Sequence, residues 1–168
     1  MNDQLASTTI ETPIGLLTLV ASNVGLRAVL WPDDDPARVR LGERSEDAAH
    51  PVLAAAAAQL GEYFRGERTE FDLPLDPVGT DFQRAAWDAL RQIPFGTTIS
   101  YGEQAAQMGD RRKARAVGAA NGRNPLSIVV PCHRVVGATG SLTGFAGGVD
   151  TKAWLLTHEQ RYAVPGTA

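Results

Sequence analysis

The sequence predicts an α+β fold with two lobes, and three observations point to it. Three short strand-like runs lie within the first 31 residues and are separated by turn signals. Two capping-box patterns in the second half of the chain each open a helix. Charge divides in the same way: residues 1–79 carry 13 acidic and 6 basic side chains, a net charge of −7, whereas residues 80–168 carry 6 acidic and 10 basic, a net charge of +4. We therefore expect an N-terminal lobe with its linker over 1–79 and a C-terminal lobe over 80–168.

The first lobe is predicted to be a small antiparallel sheet followed by one helix. Strands are expected near residues 8–12, 16–21 and 26–31, because strand-forming residues there are bounded by glycine-containing turns. The alanine-rich segment 51–64 is predicted to be a helix, since proline suits a first helical turn and Gly66 follows its end. No residue of this lobe suggests chemistry, and residues 66–79, with two prolines and two glycines, form the expected linker.

The second lobe is predicted to be mainly helical. Thr80-Asp81-Phe82-Gln83 and Ser100-Tyr101-Gly102-Glu103 are the capping boxes that open its first two helices. The second of these helices should end near Met108, and residues 113–122 should form another after a basic turn. Two short helices joined by a tight turn predict a helix-turn-helix, a motif that docks on nucleic acid. A terminal helix is expected to begin near Asp150.

The chain's single cysteine stands in Pro131-Cys132-His133-Arg134, directly after the apolar run 126–130. A lone cysteine in an intracellular protein is most often an inert buried side chain. Here an imidazole and a guanidinium follow the thiol, and such neighbours lower the pKa of a thiol or accept its proton. The apolar run predicts a buried strand or connector that holds this thiol in a pocket. We therefore interpret Cys132 as a candidate nucleophile.

A basic cluster precedes the cysteine, and its six cations face one carboxylate, Asp110, across 25 residues; the cations are Arg111, Arg112, Lys113, Arg115, Arg123 and Arg134. Such a cluster is either a solvated face or a site for a polyanion. The helix that carries Arg115 is otherwise built almost wholly from small residues. Small residues allow close approach either to a neighbouring helix or to a nucleic-acid groove.

Composition narrows the class of protein. A hydrophobic fraction of 43% and a mean hydropathy of −0.15 fit a globular protein without a membrane partner, and the first nine residues lack the features of a signal peptide. One cysteine cannot form an internal disulfide or a thiolate-rich zinc site. We expect a cytoplasmic protein that uses no metal and no organic cofactor.

Several segments together resemble the O6-alkylguanine-DNA alkyltransferases, also called methylated-DNA–protein-cysteine methyltransferases. The segments are KARAVGAANGRNPLSIVVPCHRVV at 113–136, SYGE at 100–103, LTGFAGG at 142–148 and KAWLLTHE at 152–159. The resemblance spans nearly all of residues 80–160; the first lobe resembles the family's ribonuclease H-like domain mainly in length and in its Pro13-Ile14-Gly15 turn. It implies direct-reversal DNA repair, in which an alkyl group passes once from O6 of guanine to the cysteine and inactivates the protein.

The resemblance also implies a role for each active-site residue. Cys132 would accept the alkyl group, and His133 would draw off the thiol proton, either directly or through a water. Neighbouring side chains on an extended chain point in opposite directions, so direct contact is not expected. Glu159 would orient the imidazole, Asn124 would fix the loop around the thiol, and Tyr101 would donate a proton to the departing guanine.

The partner implied by the resemblance is double-stranded DNA that contains O6-alkylguanine, bound through its minor groove by a monomer with the damaged base flipped out. Arg115 would fill the vacated space in the base stack. The implied DNA-binding residues are Tyr101, Arg115, Ala116, Gly118, Ala119, Arg123 and Arg134. The implied substrate pocket comprises Tyr101, Val135, Leu142, Phe145, Ala146 and Gly147. Phe145 and Ala146 stand where many members have tyrosine and serine, so a side-chain hydroxyl contact is not expected there.

Three other functions compatible with parts of this pattern remain open. A cysteine hydrolase or acyltransferase would use Cys132 and His133 but would not need Arg115. A DNA-binding regulator would need the helix-turn-helix but not the thiol. A nonreactive relative that only recognises alkylated DNA would lack the cysteine, which this chain keeps. The range of alkyl adducts, cooperative binding on DNA and the role of the acidic lobe are not predicted by the sequence.

Overall fold

A computed structural model describes residues 4–142 and 144–163, which form two compact units. The first unit contains residues 4–78 and 125–129, and the second contains residues 79–124, 130–142 and 144–163. The chain therefore contributes a five-residue segment from its second half to the first unit. A single division at residue 79, as expected from the sequence, does not include this exchange.

The first unit contains a four-stranded sheet in the order β3-β2-β1-β4. Its strands are β1 (Leu5–Thr12), β2 (Gly15–Ala21), β3 (Leu26–Leu30) and β4 (Arg44–Glu46). The antiparallel pairing of β1 with β2 and of β2 with β3 confirms the predicted meander. The three exposed polar residues of β4 carry no strand signal, yet they pair with β1 in parallel and make the sheet mixed.

One helix, α1 (Pro51–Phe64), packs on the sheet. It buries Leu53, Ala56, Leu60 and Tyr63, whose spacing of three and four residues places them on one face. The segment 51–64 was predicted as a helix with these same bounds, and the prediction is confirmed. Gly66 has a φ of 77° just past the helix end, a conformation in which glycine has no Cβ penalty.

The segment 125–129 reaches the same sheet at β3. The backbone N–H of Val29 donates to the Pro125 carbonyl at 2.8 Å, and Val29 and Leu126 form an isolated parallel bridge. The segment then turns sharply, because the Val129 N–H donates to the Ser127 carbonyl at 2.9 Å across Ile128, whose φ is 74°. A three-residue turn with positive φ at a β-branched residue is rare and strained. Of the two predicted forms, strand or connector, the structure has the connector.

The second unit is mainly helical, as predicted. Its helices are α2 (Asp81–Leu90), α3 (Tyr101–Gln107), α4 (Ala114–Gly122) and α5 (Val149–Tyr162). Two short parallel strands, β5 (Ile99–Ser100) and β6 (Val135–Val136), pair within it. Both predicted capping boxes are present: Thr80 and Gln83 at the start of α2, and Ser100 and Glu103 at the start of α3, each exchange two hydrogen bonds of 2.9–3.1 Å.

Helices α3 and α4 are held together by a buried pair of amides. Gln104 and Asn121 each donate to the other at 3.1 and 2.8 Å, and Gln104 also donates to the Ala86 carbonyl of α2 at 3.1 Å. Trp87 of α2 donates its indole N–H to the Ala120 carbonyl at 2.8 Å. Because buried amides are costly without partners, these bonds specify how the three helices pack.

No helix in residues 4–142 and 144–163 combines the length and the apolar character that a membrane crossing requires.

Replacing Gly25 with alanine should destabilise the first unit. A Cβ at this position would lie 2.5 Å from the Pro74 carbonyl oxygen, where the Leu26 N–H already donates to that oxygen at 2.8 Å, so the backbone has to shift. Overpacking of this kind costs about 1–3 kcal/mol. Urea unfolding of Gly25→Ala measures the loss. Gly42→Ala is the control in the same unit, because its Cβ would meet nothing within 4 Å; equal stability of the two variants would contradict the prediction.

Candidate active site

The cysteine opens a single helical turn, Cys132–Arg134, that follows Pro131. The Arg134 N–H donates to the Pro131 carbonyl at 3.1 Å, and the Cys132 N–H donates to the Val130 carbonyl at 2.9 Å. Cys132, His133 and Arg134 are all buried. The extended chain assumed for the argument about opposite side-chain directions is therefore wrong, because a tight turn presents the three side chains in succession around its axis.

The imidazole of His133 is held by a carboxylate. Its Nε2 lies 2.6 Å from Oε2 of Glu159, and both side chains are fully buried. An ionised carboxylate only accepts hydrogen bonds, so Nε2 carries the proton and Nδ1 carries the lone pair. Nδ1 is buried and has no hydrogen-bond partner in the part of the chain that the structure describes. The arrangement leaves one basic nitrogen ready to accept a proton.

Glu159 is bound on its other side by Arg134. The guanidinium Nε donates to Oε1 at 2.7 Å and Nη2 donates to Oε2 at 3.1 Å. A third donor of Arg134, Nη1, bonds the Ile93 carbonyl at 2.6 Å, and the guanidinium lies over the Phe95 ring at 5.6 Å. Glu159 itself belongs to α5, so this network connects the cysteine turn to the terminal helix.

The charge states of the network follow from burial and from these contacts. Burial lowers the pKa of His133 below its ordinary value, and Arg134 and Lys152 lower it further, against the opposing effect of Glu159. Burial alone would raise the pKa of Glu159, but the contacts with His133 and Arg134 outweigh it and hold that pKa far below its usual range. The resting network therefore contains a carboxylate, a guanidinium and a neutral imidazole.

The carbonyl that accepts the Cys132 N–H is shared with Asn124. The buried side chain of Asn124 donates through Nδ2 to the Val130 carbonyl at 2.8 Å. Asn124 thus holds the backbone two residues before the thiol.

Lys152 of α5 is a further buried polar residue of the second unit. Its Nζ donates to the Val135 carbonyl at 2.6 Å and lies 5.9 Å from the centre of the Tyr101 ring and 6.0 Å from that of Phe145. Burial lowers the pKa of Lys152, and the charge of Cys132 opposes this effect. The amine is therefore within electrostatic reach of the thiol.

Three of the predicted pocket residues, Tyr101, Val135 and Phe145, lie near this lysine. Tyr101 is half-buried at the start of α3, and a Cβ on Gly118 of α4 would lie 3.6 Å from its ring. Val135 is buried, Leu142, Phe145 and Gly147 are half-buried, and Ala146 is exposed. Thr143, a member of the motif at 142–148, lies outside the described residues.

Helix α4 and Arg123, directly after it, carry five of the seven predicted DNA-binding residues. Arg115, Ala116, Ala119 and Arg123 are exposed and Gly118 is half-exposed, whereas Val117 and Ala120 face the core. The turn before α4 adds exposed cations, including Arg112, whose side chain is 91% exposed beside Asp110. The surface therefore combines small side chains with a few long cationic ones.

Comparison with known proteins assigns the chain to a protein family. Family models match both parts: the ribonuclease-like domain of 6-O-methylguanine DNA methyltransferase over residues 5–77 and its DNA-binding domain over residues 81–161. The chain belongs to this family. A methylated-DNA–protein-cysteine methyltransferase of Mycolicibacterium paratuberculosis is 50% identical over 155 residues, which cover 92% of each chain.

Solved structures agree with this assignment. The crystal structure of Mycobacterium tuberculosis O6-methylguanine methyltransferase is 46% identical, covers 96% of each chain and has a TM-score of 0.84. A structure of the Mycobacterium tuberculosis protein in complex with DNA is 45% identical, with the same coverage and TM-score. The α+β fold predicted from the sequence is confirmed.

For this methyltransferase, one predicted site residue needs correction. Arg134 was expected to contact DNA, but its side chain is only 7% exposed, and three of its nitrogens donate to Glu159 and Ile93. A guanidinium already bound in this way does not reach a phosphate. Its place in a cationic run misled the sequence-based reading, because charge clustering does not distinguish a solvated arginine from a buried one.

Lys152 is the residue that the sequence analysis did not assign. Lys152, Leu155 and Glu159 are spaced by three and four residues on α5, and all are buried. A lysine in a helical stripe with an apolar residue and a candidate catalytic carboxylate is the signal that could have identified it.

Stability of this methyltransferase should fall on acidification below about pH 6.5. His133 has a lower pKa in the folded protein than in the unfolded chain, so the unfolded state binds more protons as the pH falls. For each such proton, the free energy of unfolding changes by at most about 1.4 kcal/mol per pH unit. Urea unfolding at pH 8, 7, 6 and 5 measures it.

His133→Gln serves as the comparison, because it removes this titration. Its free energy of unfolding should be lower at pH 7 but should change less between pH 7 and pH 5.5. Protonation of Glu159 also lowers the free energy of unfolding on acidification, but at lower pH. This effect begins below the unfolded pKa near 4.5, where the contacts of the ionised carboxylate begin to be lost. Parallel curves for the two proteins between pH 7 and pH 5.5 would contradict the assignment of a neutral His133.

Proposed function

We propose that this protein repairs DNA by transferring one alkyl group from O6 of guanine to Cys132. The observation that carries the proposal is a buried turn in which Cys132 is followed by a histidine that Glu159 orients and whose Nδ1 has no partner among the described residues. Family membership supplies the substrate class. A regulator that only binds DNA would have no use for a buried proton acceptor, which favours the transfer reaction.

The reaction follows from the residues in the turn. His133 Nδ1 accepts the proton of the Cys132 thiol, directly or through a water, and Glu159 keeps the imidazole in the required tautomer. The sulfur then forms a bond to the alkyl carbon while the bond from that carbon to O6 breaks, and guanine takes the electron pair. Tyr101 donates the proton that guanine needs on leaving.

The product is an alkyl thioether. It has no polarised carbonyl for water to attack and a poor leaving group, so no step returns the thiol. The protein acts once and is consumed. A cysteine hydrolase, by contrast, forms a thioester that water cleaves. Val135 and the loop residues 142 and 144–148 would line the pocket for the base, and the Ala146 backbone N–H would donate a hydrogen bond to O6 without a side-chain hydroxyl.

Access to the damaged base requires that it leave the duplex. Base flipping costs a few kcal/mol, and less at a weakened pair. Arg115, exposed on α4 among small residues, would enter the vacated space, while Ala116, Gly118 and Ala119 permit close approach to the minor groove. Arg123 adds a phosphate contact. The protein would act as a monomer in the cytoplasm, where reducing conditions keep Cys132 as a thiol.

Mass spectrometry tests the transfer itself. After incubation with a short duplex that contains one O6-methylguanine, the Cys132 peptide should gain one methyl group, and the reaction should stop at one equivalent per protein. Cys132→Ser is the control, which should bind the duplex without gaining mass. Continued turnover, or a duplex that stays bound to unmodified protein, would contradict the proposal.

Arg115→Ala tests the flipping role. The variant should repair duplex DNA about tenfold or more slowly, since loss of about 1.4 kcal/mol or more from the flipped state has that effect, while alkyl transfer from the free alkylated base should be unchanged. Arg112→Ala is the matched control, because it removes one exposed positive charge and lowers affinity for DNA only in a salt-dependent way. Equal slowing on both substrates would exclude a flipping role for Arg115.

A further inference from the structure

The Arg134 guanidinium makes more interactions than a simple ion pair with Glu159 would need. Its guanidinium forms two nearly parallel hydrogen bonds to Glu159, a third to the Ile93 carbonyl, and stacks over Phe95. The two-pronged geometry is available to arginine and not to lysine. Both oxygens of the carboxylate are thereby bound on one side, which leaves Oε2 to face His133 on the other.

Arg134 supplies the positive charge that balances the buried Glu159 carboxylate. Without it, the fully buried carboxylate of Glu159 would lose two hydrogen bonds from a cation, while those to His133 and, at 3.4 Å, to the Gly96 N–H would remain. A buried charge that loses its opposite charge is costly. The least costly relief would be protonation of His133, which forms an imidazolium–carboxylate pair. With the guanidinium present the anion is already balanced, and the imidazole has no need of a second proton.

We propose that Arg134 is a positioning residue that keeps His133 neutral in the resting protein, so that Nδ1 is empty when the Cys132 thiol gives up its proton. The inference rests on the alkyl-transfer function proposed above. It adds no new step to the reaction: the proton that moves is the thiol proton, its acceptor is Nδ1, and Arg134 acts only through Glu159 and His133.

The other ionisable groups around His133 are consistent with this role. From α5, Glu159 favours the imidazolium and Lys152 opposes it; from the turn itself, Arg134 opposes it and Cys132 is the proton donor. Helix α2 also packs against the turn, but its ionisable residues Asp81, Arg84 and Asp88 are exposed. Glu159 is thus the one carboxylate in this set, and Arg134 is the cation hydrogen-bonded to it.

The pH dependence of alkylation tests the proposal. The rate at which Cys132 gains a methyl group is measured from pH 5.5 to pH 8.5 with saturating duplex that contains one O6-methylguanine. The rate should fall on the acid side of this pH profile, where His133 becomes protonated, and this fall is the acid limb. In Arg134→Gln the midpoint of the acid limb should move up by about one pH unit or more. One pH unit below the variant's own midpoint, this variant should react about tenfold more slowly than at its plateau, whereas the natural protein should lose less of its rate at the same pH.

Two further variants separate charge from structure. Arg134→Lys keeps the positive charge and should return the acid limb to its natural position, even if its plateau rate is lower. Arg84→Gln removes an exposed charge from α2 in the same unit and should leave the limb unchanged. A lower plateau in Arg134→Gln with an unmoved limb would reduce Arg134 to a purely structural residue and overturn the proposal.

A second readout needs no substrate. The NMR signal of the His133 imidazole Cε1–H, assigned by its loss in His133→Gln, should titrate in the natural protein with a midpoint below that of an ordinary histidine, and this midpoint should rise in Arg134→Gln. Failure of alkyl transfer in the natural protein would contradict the proposed function, while this titration would still decide the role of Arg134. Arg134→Met is the alternative if Arg134→Gln does not fold; failure of both to fold would also overturn the proposal.

Discussion

The buried carboxylate of Glu159 is the constraint on which the active-site turn depends. A carboxylate with no exposure must be matched by donors, and here two successive residues of one turn, His133 and Arg134, provide them. A single helical turn is what allows neighbours in sequence to reach one carboxylate. Because Glu159 lies on α5, the turn and the terminal helix must form together, and the position of Cys132 follows from their packing.

Local patterns of the sequence were sufficient to predict most elements of the fold. The capping boxes at Thr80 and Ser100 and the bounds of α1 depend on side chains within four residues of each other, and such interactions can be read from sequence. Strand β4 could not be predicted in this way. Three exposed polar residues, Arg44 to Glu46, become a strand because the edge of β1 offers them hydrogen bonds.

Family motifs were sufficient to name candidate site residues, but they did not predict which of those side chains are buried. Arg123 and Arg134 belong to the same cationic run, yet one is exposed and the other is enclosed by Glu159, Ile93 and Phe95. The segment 125–129 shows the same limit, since pairing with Val29 assigns it to the first unit although its sequence neighbours lie in the second. These outcomes depend on long-range contacts that no local pattern encodes.

His133 Nδ1 gives the physical reason to regard the network as a functional site. A buried polar atom costs about 1–3 kcal/mol when it has no partner, and Nδ1 has none among the described residues. The surrounding polar atoms are paired with short bonds: Nε2 with Glu159, the guanidinium with Glu159 and Ile93, and Asn124 with Val130. Because these polar atoms are paired, Nδ1 of the residue that follows the chain's single cysteine is the nitrogen of this network that can accept a proton.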